Sequence, residues 1–141
     1  MGGPDIVIRD TADDAEVAAL RDAVHEYNFE TTGYRDGRSL SCFLYDDDGH
    51  TLIAGIDGFT WGGYARIDYL WVAAAHRGGR LGSQLLAAAE REASDRGCVT
   101  IVLDTHSFQA PDLYRTHGYT EVGTTMDTPL GYSQTLFQKR L

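Results

Sequence analysis

Between Tyr64 and Leu103 the spacing of apolar residues changes character twice, and that double change admits few folds. Tyr64–Ala73 (YARIDYLWVA) is the strongest strand signal in the chain. After His76 the period lengthens. Leu81, Leu85, Leu86, Ala89 and Ala93 mark one face of a helix that ends at Arg96-Gly97, a basic residue and a glycine suited to a helix C-terminus. Cys98–Leu103 (CVTIVL) is then a continuous, β-branched run, the mark of a buried strand. Strand, helix and buried strand in succession form a βαβ unit.

An antiparallel meander feeds this unit. Ile6–Arg9 reads as a short first strand, and Asp13-Asp14 opens an amphipathic helix with Val17, Leu20, Val24 and Tyr27 on one face. Asn28–Arg38, with Gly33 and Gly37, reads as a loop or a broken second helix. Leu40–Tyr45 and His50–Thr60 are strands joined by the turn Asp46-Asp47-Asp48-Gly49, and Trp61-Gly62-Gly63 turns the chain into Tyr64. Downstream, a short helix over Pro111–His117 stops at Gly118, and two strands, Tyr119–Met126 and Tyr132–Lys139, flank Pro129 and Gly131. With no repeat, linker or low-complexity tract, residues 1–141 read as a single domain.

Composition excludes several classes of function. The chain is 43% hydrophobic and 11% aromatic, too apolar for a disordered segment. Twelve Lys and Arg against 21 Asp and Glu leave a net charge of −9, which argues against nucleic acid and against an anionic membrane surface as partners. Cys42 and Cys98 lie in apolar runs and build no disulfide framework, so a reducing cytoplasm is expected. The N-terminal MGGPDIVIRD has no basic region followed by an apolar stretch, so no signal peptide is expected.

The chemistry concentrates in the turn between strand and helix, IDYLWVAAAHRGGRLGSQLL. Unpaired N–H groups at a helix N-terminus carry about half a positive charge and favour phosphate. Gly78, Gly79 and Gly82 allow close backbone approach, and Arg77 or Arg80 can add a charge-assisted contact. No Gly-Lys-Ser/Thr ending is present, and no G-x-G-x-x-G follows an early strand, so neither common nucleotide fingerprint fits. Asp104-x-His106 has no third metal ligand at a familiar spacing, and no metal is expected.

Arg77, Gly82 and the following Ser83-Gln84-Leu85-Leu86 resemble the Arg/Gln-x-x-Gly-x-Gly/Ala signature of the GNAT family of N-acetyltransferases. Downstream, Ala110, Tyr114, Gly118 and Tyr119 in QAPDLYRTHGY resemble that family's fourth-helix pattern. Two positions depart from it. Arg80 stands where the first motif glycine is usual, and Ser107 stands where Asn is common.

The resemblance implies an α+β fold: a three-layer α-β-α arrangement around a mixed, mostly antiparallel sheet of six to seven strands, splayed between the fourth and fifth. It implies acetyl-CoA as co-substrate, lying in the splay between Tyr64–Ala73 and Cys98–Leu103. The backbone of Leu70, Trp71 and Val72 would pair with the pantetheine arm. Amides of Arg77, Gly78, Gly79, Arg80, Leu81, Gly82 and Ser83 would cradle the pyrophosphate, and Ser107 and Tyr114 would complete the cofactor site. The N–H of Val72 would face the thioester oxygen.

Tyr114 stands at the family's general-acid position, matched to a thiolate leaving group. Asp68 is the candidate base, with Asp104 and His106 as runners-up, and alternation places Asp68 on the face of Arg66 and Leu70. Phe59, Trp61, Tyr64 and Trp71 read as core around the central hairpin, part of the set bordering the acceptor. Glu26, Glu30, Asp36, Asp68 and Asp127 are expected to rim the acceptor side and favour a cationic amine. The expected acceptor is a small-molecule or peptide amine, and the family resemblance implies a homodimer. Two alternatives share the fold: an antibiotic-modifying enzyme of the aminoglycoside type, and a non-catalytic acyl-CoA-binding regulator.

Overall fold

The computed structural model describes residues 2–141, which divide into two compact units, one ending at Arg35 and one spanning Asp36–Leu141. The first unit contains the helix α1 (Asp14–Thr32). Asp13 caps it by accepting the Glu16 N–H at 3.0 Å, and Gly33, with φ +77°, ends it by donating to the Phe29 carbonyl at 2.8 Å. The helix therefore runs unbroken through the expected loop at Asn28. Ile6–Arg9 corrects the sequence reading: it forms no strand, because no neighbouring strand pairs with it. Val17, Leu20, Val24 and Tyr27 are exposed, and no residue of α1 is buried.

The second unit holds β1 (Arg38–Tyr45), β2 (Leu52–Trp61), β3 (Tyr64–Val72), α2 (Leu81–Asp95), β4 (Thr100–His106), α3 (Pro111–Thr116), β5 (Thr120–Met126) and β6 (Ser133–Arg140). One six-stranded sheet runs in the order β1-β2-β3-β4-β6-β5, with β3 and β4 parallel and every other pair antiparallel. The β2–β3 hairpin turns on Gly62 and Gly63, both at positive φ (56° and 82°), the type I′ geometry that a two-residue hairpin favours. Leu85, Leu86, Ala89 and Ala93 of α2 are buried with Leu40, Ile56, Ile67, Ile101, Leu103 and Phe137 in one core. Each large side chain so buried contributes about 1.5–3 kcal/mol of transfer free energy.

The sheet is divided by a change of register. Asp57 pairs with Tyr69 and Gly58 with Ile67, so Asp68 is an extra residue on β3, a β-bulge. Gly58 is required opposite it, since a Cβ there would stand 1.9 Å from the Arg66 carbonyl oxygen. β3 and β4 pair only from Tyr64↔Thr100 to Ile67↔Leu103. Beyond that rung β3 stays with β2 as far as Val72 and β4 stays with β6 as far as His106. A wedge opens between them. It lies between the expected pair of strands, which are the third and fourth of the sheet because Ile6–Arg9 is not one.

Candidate active site

A cavity of about 930 Å³ occupies the wedge, with walls from β3, β4, the turn before α2, and α3. From β3 come Asp68, Leu70, Trp71 and Val72; from the turn come Arg77, Gly78, Arg80, Leu81, Gly82 and Ser83. Tyr114 closes one side. Two residues expected at the site, Gly79 and Ser107, do not line the cavity. Ser107 is committed to the start of β6: its N–H donates to the Ser133 carbonyl at 2.8 Å and its Oγ accepts the Ser133 N–H at 3.0 Å.

The turn is built to present backbone donors. Gln84 N–H makes the first bond of α2, to the Arg80 carbonyl at 3.0 Å, so the N–H groups from Gly78 to Ser83 have no partner among the described residues. Six successive free amides at a helix N-terminus form a concavity suited to an anion such as a pyrophosphate. Arg80 adopts φ +67°, the left-handed conformation for which glycine is the usual residue. Arg77 braces it, its Nε donating to the Val72 carbonyl at 2.9 Å. Ser83 Oγ lies 3.0 Å from His117 Nε2.

Ala73 N–H donates to Ile53 in β2 at 2.7 Å. Alternation along the strand therefore turns the Val72 N–H the other way, toward the wedge. The bulge also alters the expected faces. Leu70 and Val72 pack against the core on the side of Ile67, so Asp68 does not share a face with Leu70.

At the apex of the wedge Arg66 holds two carboxylates. Its Nη2 donates to Asp104 Oδ2 at 2.7 Å and its Nε to Asp68 Oδ1 at 3.2 Å. The second oxygen of Asp104 accepts from Gln134 Nε2 at 2.9 Å. The two carboxylates, Asp104 foremost, hold the Arg66 guanidinium above its usual pKa. Arg66 and Gln134 were not singled out from sequence. The sign available was Arg66 two residues before Asp68 on one strand, and Gln134 leaves no local trace.

Tyr114 is 8% exposed, with its ring edge-on to Tyr119 and tilted against Phe137, both at 5.8 Å between centroids. Its hydroxyl makes no hydrogen bond among the described residues, and burial pushes its pKa up to about 12. His106 is not part of the lining. Its Nδ1 lies 2.8 Å from the Thr128 carbonyl oxygen and its ring stacks on Phe108, which does line the cavity.

Of the expected rim of carboxylates within Asp36–Leu141, Asp68 lines the cavity and Asp36 and Asp127 do not. Glu26 pairs with Arg35 at 3.1 Å, Asp36 accepts the Gly62 N–H at 2.9 Å, and Asp127 accepts the Gly131 N–H at 3.3 Å. Phe59 and Trp61 stand edge-on to Tyr64 at the hairpin, but these three are only half-buried and outside the core, and Trp71 is half exposed and on the cavity wall.

The model of the acetyltransferase (GNAT) family matches residues 7–119. The acetyltransferase Atu2258 of Agrobacterium fabrum is 34% identical over 134 residues, covering 95% of this chain and 97% of that protein. Blasticidin-S acetyltransferase of Streptomyces morookaense is 37% identical over 91 residues, covering 64% of this chain and 67% of the relative. The crystal structure of an acetyltransferase from Bacillus cereus superposes with a TM-score of 0.81 at 33% identity, over 96% of this chain and 98% of that one. With its wedge, its amide-rich turn and the buried tyrosine in the corresponding fold, this chain belongs to the GNAT family of acetyltransferases.

Proposed function

We propose that the protein transfers an acetyl group from acetyl-CoA to a primary amine of a small molecule or peptide, directly, within a ternary complex. The observation that carries this is the run of six free amides, Gly78 to Ser83, at the mouth of a wedge whose other wall ends in Tyr114. The cavity suits a long, anionic co-substrate: donors without side-chain bulk at one end, and an apolar wall of Leu70, Val72, Leu81 and Leu113 along it. Acetyl-CoA supplies an activated acyl thioester there.

The chain's own residues divide the remaining work. Val72 N–H, turned into the wedge, is the donor for the oxygen on which negative charge grows as the amine attacks. The new bond is C–N and the broken bond is C–S. The proton lost by the amine passes to Asp68, through water, and the proton gained by the departing thiolate comes from Tyr114. Asp68 suits that part better than Asp104: Asp104 has both oxygens bonded, whereas only one oxygen of Asp68 is engaged. Tyr114, with a pKa near 12, carries its proton at all working pH values.

For the acceptor we favour an amine-bearing antibiotic or a compound like one, on the strength of the 37% identity to blasticidin-S acetyltransferase. Thiol release from acetyl-CoA across blasticidin S, aminoglycosides, polyamines, amino acids and basic peptides tests the proposal. Release with at least one amine, with initial-rate lines that intersect, is the expected result. Acetyl-CoA binding with no release for any amine would identify a non-catalytic acyl-CoA-binding regulator instead. Parallel lines would indicate a covalent enzyme intermediate.

A further inference from the structure

Ser83 is the last of the residues whose N–H groups are free at the start of α2, and the only one of them with a hydroxyl. It lines the cavity, and its Oγ has one hydrogen-bond partner among the described residues, His117 Nε2 at 3.0 Å. His117 itself does not line the cavity. It sits half-buried at the C-terminal end of α3, where its N–H donates to the Leu113 carbonyl at 3.2 Å. Leu113 and His117 are four positions apart and share one side of that helix. Both meet the first turn of α2: a Cβ at Gly82 would stand 3.6 Å from Leu113 Cδ2, and Ser83 takes the contact from His117.

A hydroxyl has one hydrogen to give and two lone pairs to offer, so this contact can be made in two ways. If Ser83 donates, its hydrogen is taken up by the imidazole and only lone pairs remain for the cavity. If His117 donates from Nε2–H, the Ser83 hydrogen is left for a ligand. An anion among the free amides favours the second arrangement, because negative charge repels lone pairs and attracts a hydroxyl hydrogen. His117 can adopt it: Nδ1 has no partner among the described residues, so no other contact dictates which ring nitrogen carries the hydrogen.

We propose that His117 is a positioning residue for the co-substrate: by donating from Nε2 to Ser83 Oγ, it frees the Ser83 hydroxyl to donate to the pyrophosphate beside the backbone amides. The role rests on acetyl-CoA binding at this turn, as proposed above. His117 acts only through Ser83, so the two side chains work as one unit. Removing either should cost the same affinity, and removing both should cost no more than removing one.

Calorimetric titration of acetyl-CoA into the full chain tests this without an acceptor. His117→Leu removes the donor, whereas His117→Gln keeps an amide N–H close to where Nε2 stands. Affinity should fall about tenfold in His117→Leu and in Ser83→Ala, and stay within about twofold of the wild type in His117→Gln. In the double variant Ser83→Ala/His117→Leu it should be no lower than in either single one. If circular dichroism shows His117→Leu unfolded, His117→Asn, whose shorter amide does not reach Ser83, takes its place. Unchanged affinity in the donor-less variant, an equal loss in His117→Gln, or losses that multiply in the double variant would each overturn the role, the last two by showing that His117 acts through the packing of α3. In those cases the wild type still binds acetyl-CoA and the transferase reading stands. A wild type that binds none would remove that reading and this role together.

Discussion

Arg66 Nη2 lies 2.7 Å from Asp104 Oδ2, a contact that ties the two parallel strands together just where their pairing ends. The same guanidinium reaches Asp68 on the bulge, so a single cation stabilises both carboxylates at the apex of the cavity. Arg66→Met leaves those two charges without a counter-ion. Turnover should fall tenfold or more because Asp68 is no longer positioned, while acetyl-CoA affinity, which depends on the distant turn, stays within twofold. The stability loss should be no more than about 2 kcal/mol, as both ion pairs are about one-third exposed. Steady-state kinetics beside calorimetric titration separates the two effects, and an equal loss in both would refute the positioning role.

Tyr114→Phe keeps the contacts with Tyr119 and Phe137 and removes only the hydroxyl. The turnover number should drop by ~10²–10⁴, with cofactor binding little changed. A drop below about threefold would show that solvent protonates the thiolate.

The same residue predicts a loss of alkaline stability. Burial lifts the Tyr114 pKa to about 12, and Tyr119 is lifted too, by burial and then by the adjacent Glu90 carboxylate. A proton held more tightly in the folded state stabilises that state fully below the unfolded pKa of about 10, and the contribution vanishes as pH climbs toward 12. For Tyr114 the loss is about 3 kcal/mol. Urea midpoints measured from pH 9 to 12 should decline more steeply in the wild type than in Tyr114→Phe. Parallel declines would contradict the burial of that hydroxyl.

Gly82→Glu should fold, because a Cβ at Gly82 meets only Leu113 Cδ2 at 3.6 Å and Val72 Cγ2 at 3.9 Å, ordinary contacts. It would place a carboxylate among the free amides, and acetyl-CoA affinity should fall at least tenfold, about 1.4 kcal/mol. Calorimetry on a variant with an unchanged circular-dichroism spectrum decides it.

Gly58→Ala should be among the most damaging small substitutions in the chain. Its methyl would stand 1.9 Å from a carbonyl oxygen of β3, where only backbone can move. Overpacking of this sort costs at least about 1–3 kcal/mol. Thermal unfolding should register the loss, whereas Gly123→Ala, with open space around it, should be close to neutral.

Elements whose signal is local were legible in the sequence. The three-and-four spacing of Leu81 to Ala93 gave the buried face of α2, and Gly62-Gly63 gave the hairpin. Tyr114, identified by its motif, lies on the cavity wall. The bulge at Asp68 left no such mark, because its enabling glycine is on the opposite strand, ten residues away in sequence. That hidden extra residue is why alternation misplaced Leu70. The contacts of Arg66 with Asp104 and of Asp104 with Gln134 are equally non-local, set by a parallel pairing and a crossover that no single window spans. Ile6–Arg9 has strand-like composition, but a strand exists only where another backbone offers it hydrogen bonds.

The bulge makes the cavity a matter of counting. β3 carries one residue more than β2 can match, and from that point each side chain on β3 is out of phase with its own continuation. Removing Asp68 would realign the count: Tyr69 would follow Ile67 directly opposite Asp57 and Gly58, Leu70 and Val72 would stay on the core side, and only the carboxylate at the apex would be lost. The one residue of β3 without a partner on β2 is thus the one that carries a carboxylate to the cavity, a group the strand can present without disturbing the packing of its neighbours.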